Sequence, residues 1–152
     1  MKKILTILLF ILISIQGIAQ DSKYYRMPYG RVMIERIQQP EQYKMYLFND
    51  SEYMVVLNMG DFEETFSMVD LMRAEMATLP YGTPREFEFK NGNVTFVRLI
   101  EFVAPYAIGN PDHTFEKIED DEHNYIITFK DLNRFRRILV RIQKKKYEKT
   151  SR

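Results

Sequence analysis

The two histidines of the chain, His113 and His123, lie in an acidic stretch. Six carboxylates accompany them: Asp112, Glu116, Glu119, Asp120, Asp121 and Glu122. Imidazole and carboxylate ligands together suit a divalent cation. However, their spacing matches no metal motif, and an EF-hand loop would require a glycine at its sixth position. A solvated acidic turn is the simpler interpretation, so no metal site is predicted.

Acid–base catalysis needs positioned carboxylates, and Glu86 and Glu88 are one such pair. They alternate with Phe87 and Phe89, which is typical of the solvent-exposed side of an amphipathic strand. Nucleophilic catalysis has no better candidate, because the chain has no cysteine and no serine in a Gly-x-Ser-x-Gly turn. No phosphate-binding loop is present either. No catalytic or cofactor-binding residue is therefore predicted.

The charge of the chain is divided between a negative body and a positive C-terminus. Residues 134–152 hold nine basic residues and one acidic residue, a net charge of +8, whereas residues 20–133 carry −9. Cations on the solvent side of a helix complement its dipole and keep it soluble, which is the simplest interpretation. The same cations also suit an acidic protein surface, on the chain's own body or on a partner. A third interpretation is attraction to anionic lipid headgroups.

Residues 31–38 are β-branched and mixed in character, which predicts a first strand that ends before Gln39-Pro40. A hairpin is predicted next, with strands at 43–48 and 53–59 and a turn at 49–51. From Phe62 to Leu79 the apolar residues follow helical spacing, and Asp61 is the expected N-cap. Met68, Met72 and Met76 share the apolar side of this helix. Methionine thioethers bind copper in some proteins, but helical spacing favours packing in the core.

Asn91-Gly92 gives the clearest local signal, because this pair readily adopts the positive φ angles of a two-residue type I′ hairpin. The resulting register predicts Phe89 opposite Val94 and Phe87 opposite Phe96, two apolar pairs on one face.

A further hairpin is predicted from 113–118 to 124–130, with its turn at the acidic run 119–122. Asp131 is the expected cap of a second helix, whose buried side is formed by Leu132, Phe135, Leu139 and Ile142. The chain then contains two β-rich halves, each closed by a helix, a pattern consistent with duplication. The predicted fold class is α+β: an antiparallel sheet of about five to seven strands with two helices packed on one face.

The N-terminus is typical of a secretory signal peptide. Lys2 and Lys3 precede an apolar run over 4–15, and small residues at 17 and 19 predict cleavage after Ala19. An uncleaved anchor is the alternative, although this run is shorter than the roughly 20 residues that span a bilayer. The predicted organisation is a signal peptide at 1–19, an N-terminal arm at 20–30, one α+β domain at 31–147 and a basic tail at 148–152.

The short signal looks bacterial, so we expect a periplasmic or secreted protein. Export without catalytic motifs favours a non-enzymatic module that binds another envelope or secreted protein through an edge strand or a tyrosine-rich sheet face. A peripheral membrane-surface protein that uses the basic helix is one alternative, and a carboxylate-based enzyme is the other. Nucleic acid is not an expected partner of an exported protein.

Overall fold

A computed structural model describes residues 21–49, 54–101, 112–117 and 125–151. In these ranges a set of four strands and a helix occurs twice in succession. The strands are β1 (Ser22–Arg26), β2 (Val32–Gln38), β3 (Glu41–Phe48), β4 (Met54–Gly60), β5 (Pro84–Phe89), β6 (Gly92–Glu101), β7 (Asp112–Lys117) and β8 (Tyr125–Thr128). The helices are α1 (Phe62–Thr78) and α2 (Phe129–Thr150). The predicted signal peptide, the β3–β4 turn and the acidic run 119–122 lie outside the described residues.

The first four strands form an antiparallel sheet, sheet A, in the order β1-β2-β3-β4. Its inner face is apolar: Ile34 pairs with Met45, and both side chains are buried. The next pair, Glu35 and Lys44, belongs to the outer face because side chains alternate along a strand. The predicted first strand and the hairpin that follows it are confirmed as β2, β3 and β4.

Residues 20–30 are predicted to form an arm, but residues 22–26 form the strand β1. This strand pairs with β2, with Ser22 opposite Ile37 at one end and Arg26 opposite Met33 at the other. The main chain of β2 orders this segment, and Tyr25 packs against the hydrophobic core. These are tertiary interactions, so the local sequence shows no periodicity that would indicate the strand.

The tip of the β5–β6 hairpin covers the other edge of sheet A. The side chain of Asn91 accepts a hydrogen bond from Asn58 N at 2.8 Å and donates one to Val56 O at 2.7 Å. Lys90 N also donates to Asn58 O at 3.0 Å. These contacts satisfy main-chain groups of β4 that an open edge strand would leave unpaired.

Asp61 caps α1 as predicted. Its carboxylate accepts a hydrogen bond from Glu64 N at 3.0 Å, and the Glu64 carboxylate accepts one from Asp61 N at 3.0 Å. This reciprocal pair is a capping box. Gly60 precedes it with φ 88°, and a Cβ at this position would clash with the Glu64 carboxylate. The close approach of Glu64 therefore requires glycine at position 60.

Strands β5, β6, β7 and β8 form a second antiparallel sheet, sheet B, in that order. The predicted β5–β6 register is wrong: the turn lies one position earlier, which shifts the strand pairing by two residues. Phe87 pairs with Val94 and Phe89 with Gly92, because Lys90 and Asn91 form the turn and Gly92, with φ 128°, begins β6. The predicted apolar face survives, since the rings of Phe87 and Phe96 still meet with centroids 5.9 Å apart.

Helix α2 begins at Phe129, so the predicted cap at Asp131 is wrong. Thr128 is the N-cap: its hydroxyl accepts a hydrogen bond from Asp131 N at 3.1 Å. The Asp131 carboxylate accepts one from Thr128 N at 3.0 Å, which makes Asp131 the third residue of a capping box. The helix also extends to Thr150, so most of the predicted 148–152 tail is helical.

One hydrophobic cluster joins both sheets and both helices. Tyr43 of β3 lies at its centre, with its ring centroid 6.3 Å from that of Phe62 in α1 and 6.4 Å from that of Phe135 in α2. Met72 and Met76 are fully buried here, as expected for core methionines. The predicted α+β class is confirmed, with the described strands divided into two antiparallel sheets of four.

Candidate binding cleft

The residues of the acidic histidine stretch lie either in β7 or outside the described residues. His113 lies in β7 and pairs in register with Ile100, and Asp112 and Glu116 belong to the same strand. His123 lies outside the described residues. Among the residues that the structure describes, no group of three His, Cys, Asp or Glu side chains is arranged to hold a metal ion.

Glu86 and Glu88 lie on the exposed side of β5 and alternate with the buried Phe87 and Phe89. Asn93 donates a hydrogen bond to Glu86 at 3.1 Å. Both carboxylates are exposed, and Glu88 lines a depression of about 320 Å³ together with Glu64 and Lys90.

Helix α2 uses part of its positive charge to bind the body of its own chain. Arg136 forms an ion pair with Asp70 of α1, with 2.7 Å between Nε and Oδ1. Lys146 forms an ion pair with Glu41, at the start of β3. The sequence leaves three interpretations of the basic helix: a solvated face, docking on an acidic surface of the chain or of a partner, and attraction to anionic lipid. Arg136 and Lys146 follow the second, because both contact acidic residues of the same chain.

A second set of cations on α2 lines a cleft between this helix and β1. Arg134, Arg137, Arg141 and Lys145 are exposed, and they make no ion pair or hydrogen bond with any described residue. Tyr25 of β1 and Ile138 of α2 also line this cleft, whose volume is about 410 Å³. We call Arg134, Arg137, Arg141 and Lys145 the cation row. The cleft therefore combines a row of positive charge with partly buried aromatic and aliphatic surface.

Two contacts fix the direction of α2 relative to β1. Near the start of the helix, Lys130 donates a hydrogen bond at 2.8 Å to the hydroxyl of Tyr29, which follows the end of β1. Near the other end of the helix, Lys146 contacts Glu41, close to Gln38 at the end of β2, where β1 begins. Helix α2 therefore runs alongside β1 in the opposite direction, and the cation row follows the strand.

Glu41 is the anchor at the second of these contacts. It accepts hydrogen bonds from Arg36 Nε at 3.0 Å, Arg36 Nη2 at 2.7 Å and the Tyr43 hydroxyl at 2.8 Å. Burial acts to raise the pKa of Glu41, but hydrogen bonds from Lys146, Arg36 and Tyr43 together hold it below its usual range. Glu41 therefore stays ionised and fixes the last third of α2.

A buried carboxylate also lies on the outer face of sheet A. Glu35 is 7% exposed and accepts hydrogen bonds from the hydroxyls of Tyr24 at 3.0 Å and Tyr46 at 2.5 Å. Burial acts to raise the pKa of Glu35, but hydrogen bonds from Tyr46 and Tyr24 contribute to a net lowering. Burial, together with the bond to Glu35, raises the pKa of Tyr46 to about 12. This cluster holds an ionised carboxylate between neutral phenols at physiological pH.

The sequence indicates only one side of the cleft. The cation row is visible as helical spacing, because Arg134, Arg137, Arg141 and Lys145 are three or four residues apart. Tyr24, Tyr25 and Tyr29 are recognisable in the sequence as a candidate aromatic patch, but the strand that carries Tyr25 is not predicted, since the segment 20–30 has no strand periodicity. No helix within the described ranges is long and apolar enough to cross a bilayer.

Comparison with protein-family models, with curated proteins and with solved structures finds no match for this chain.

Proposed function

We propose that this chain is an exported, non-enzymatic module that binds an acidic segment of another protein in the cleft between β1 and α2. The observation that carries this proposal is the cation row. Other cations of α2, such as Arg136 and Lys146, are paired with acids of the body, whereas the row is unpaired among the described residues.

The composition of the cleft favours binding over a purely solubilising role. A solubilising helix face needs charge alone, and it needs neither a concave shape nor apolar side chains. Here Tyr25 and Ile138 lie within the same concavity as the cation row. A tyrosine offers a rigid apolar body with a polar tip, which is why tyrosine and arginine are enriched at protein interfaces.

Binding is also favoured over carboxylate-based catalysis. An acid catalyst at neutral pH needs a carboxyl group whose pKa is raised. The pKa values of Glu35 and Glu41 are both lowered, because phenol, guanidinium and ammonium groups donate to them. Both groups are therefore ionised structural acceptors.

An anionic membrane surface is the second candidate, because α2 also exposes Val140 by 41% and Tyr147 by 67%. Each basic residue near such a surface contributes about 1 kcal/mol. However, the main apolar stripe of α2, which includes Leu132 and Leu139, is buried in the core and unavailable for insertion into lipid. The cation row lines a concavity, a shape that suits a protein segment better than a flat bilayer.

The test is the affinity of the purified protein for a fluorescein-labelled peptide of about seven residues, Glu-Thr-Glu-Val-Glu-Thr-Glu. We expect the Arg137→Glu/Arg141→Glu variant to weaken binding by at least about tenfold, since two favourable charge pairs become repulsive. The matched control is Lys144→Glu/Lys149→Glu, which makes the same charge change on exposed residues that do not line the cleft. This control should retain affinity within about threefold.

Equal loss in the two variants would show that only the net charge of the helix matters, and it would overturn the proposed site. Vesicles of phosphatidylglycerol distinguish the second candidate. If the protein binds these vesicles but not the acidic peptide, and Arg137→Glu/Arg141→Glu abolishes vesicle binding, the result supports a membrane surface as the ligand and contradicts the protein partner.

A further inference from the structure

Strand β1 has an outward-facing main-chain edge. Gln38 N donates to Asp21 O at 3.2 Å, and Met27 N donates to Val32 O at 2.9 Å. The main-chain groups of residues 21 and 27 therefore face β2. Because the direction of these groups alternates along an antiparallel strand, residues 23 and 25 also face β2, and residues 22, 24 and 26 face outward.

The outward-facing residues are Ser22, Tyr24 and Arg26. Each offers one N–H and one C=O group, and β1 pairs only with β2 within the described part of sheet A. An edge of this kind accepts an additional strand, and the main-chain hydrogen bonds then supply affinity while side-chain contacts supply selectivity.

The cation row matches such a strand in spacing. Arg137, Arg141 and Lys145 are each four residues apart, which corresponds to about 6 Å along a helix. Alternate side chains on one face of a strand are about 6.7 Å apart. A strand added to β1 would therefore place successive alternate side chains close to successive cations of α2.

The length of the row also matches the strand. From Arg134 to Lys145 the helix rises about 16 Å. From Ser22 to Arg26 the strand extends about 14 Å. Tyr25 of β1 lines the cleft together with the cation row, so a segment paired with β1 would lie beside the row.

We infer that the acidic segment binds in an extended conformation as a fifth strand of sheet A, paired with β1 and with alternate carboxylates facing the cation row. This inference rests on the proposed function and specifies how the partner is recognised. Glutamate or aspartate at every second position is the expected signature of the partner. Its other side chains face the outer side of sheet A.

The charge of β1 argues against a second copy of this chain as the occupant. Lys23 and Arg26 are exposed on the strand, and pairing two β1 strands edge to edge would bring these cations and both cation rows together. Like charges placed opposite each other destabilise strand pairing. An acidic strand removes this repulsion and adds opposite-charge pairs.

The test uses proline to remove outward N–H groups. Proline on an edge strand, at a position whose N–H faces away from the sheet, leaves the existing ladder intact. We expect Ser22→Pro/Arg26→Pro to weaken binding of the Glu-Thr-Glu-Val-Glu-Thr-Glu peptide by at least about tenfold. The control Ser22→Ala/Arg26→Ala removes the same side chains but keeps both N–H groups, so it should bind the peptide at least about tenfold more tightly than the proline variant.

Hydrogen exchange gives a readout that does not depend on variants. The amides of Ser22, Tyr24 and Arg26 should exchange at least about tenfold more slowly when the peptide is bound. N-methylation of alternate peptide amides should abolish both the binding and this protection. The experiment with the N-methylated peptide uses the unmodified protein, so it tests the strand pairing even if the proline variant fails to fold.

The two proposals fail in different ways. If the peptide binds, depends on Arg137 and Arg141, and leaves these three amides unprotected, the strand pairing is overturned while the cleft stands. Equal affinity of the proline and alanine variants has the same meaning. If the peptide does not bind at all, the proposed function itself fails.

Discussion

Lys146 near the end of α2 forms an ion pair with Glu41 at the start of β3. The Lys146 ammonium also lies 4.5 Å from the centroid of the Phe62 ring in α1. One cation therefore connects both helices with sheet A and holds the far end of the wall that carries the cation row.

We predict that Glu41→Gln lowers the free energy of unfolding by about 1–2 kcal/mol, because Arg36, Tyr43 and Lys146 lose a charged acceptor. Lys146→Met removes one of the donors to Glu41 and should lower the free energy of unfolding by about 0.5 kcal/mol. Urea unfolding of both single variants and of the double variant measures the coupling between the two residues. Strictly additive effects would contradict the bridging role of this pair.

Stability should also depend on pH through Glu35 and Glu41. Their pKa values are lowered in the folded protein, so the folded state favours the ionised carboxylates. This stabilisation is present above the unfolded pKa of about 4.3 and is lost as the pH falls through the folded values. Urea unfolding between about pH 6 and pH 3 should therefore show decreasing stability. In Glu35→Gln/Glu41→Gln the dependence should be shallower, and an unchanged slope would contradict the assignment.

Alanine substitutions at two glycines test the capping box of α1. Gly30 and Gly60 both have positive φ, 72° and 88°, but a Cβ on Gly30 would have no atom within 4 Å. We predict that Gly30→Ala costs about 1 kcal/mol through backbone strain alone. Gly60→Ala should cost about 1 kcal/mol more, because Glu64 must leave the cap. In a Glu64→Ala background this additional cost should disappear, and thermal unfolding of the variants measures it.

Export predicts a processed N-terminus. Cleavage after Ala19 should leave Gln20 as the first residue, and intact-mass measurement of the protein recovered from its own cells tests this. Replacing the small side chain in Ala19→Arg should block processing. Recovery of the full-length chain from the cytoplasm would contradict export and, with it, the expectation of an envelope or secreted partner.

The elements that the sequence predicts are those stabilised by their own residues. Helix α1 is one case, since its apolar spacing and the reciprocal Asp61–Glu64 cap are contained in adjacent residues. The β5–β6 turn is the opposite case. Asn91-Gly92 favours a turn on those two residues, but the Asn91 amide is held by β4, 35 residues away at Val56, and the turn moves by one position.

The same distinction applies to the cleft. Its helical wall follows from the spacing of basic residues in one segment, so the sequence indicates it. Its other wall does not, because β1 is ordered by pairing with β2 and Tyr25 contributes only once that strand has formed. The sequence therefore predicts the wall of the cleft that α2 forms, but not the wall that β1 forms.

The bridge from Asn91 to β4 also determines the stoichiometry of any strand-pairing ligand of sheet A. At that edge Val56 O and both the N–H and the C=O of Asn58 already have partners. Growth of the sheet by successive copies needs two receptive edges on each molecule, as in a fibril. With these β4 groups occupied by the β5–β6 turn, a strand bound at β1 as proposed would have no continuous opposite edge from which the assembly could be extended.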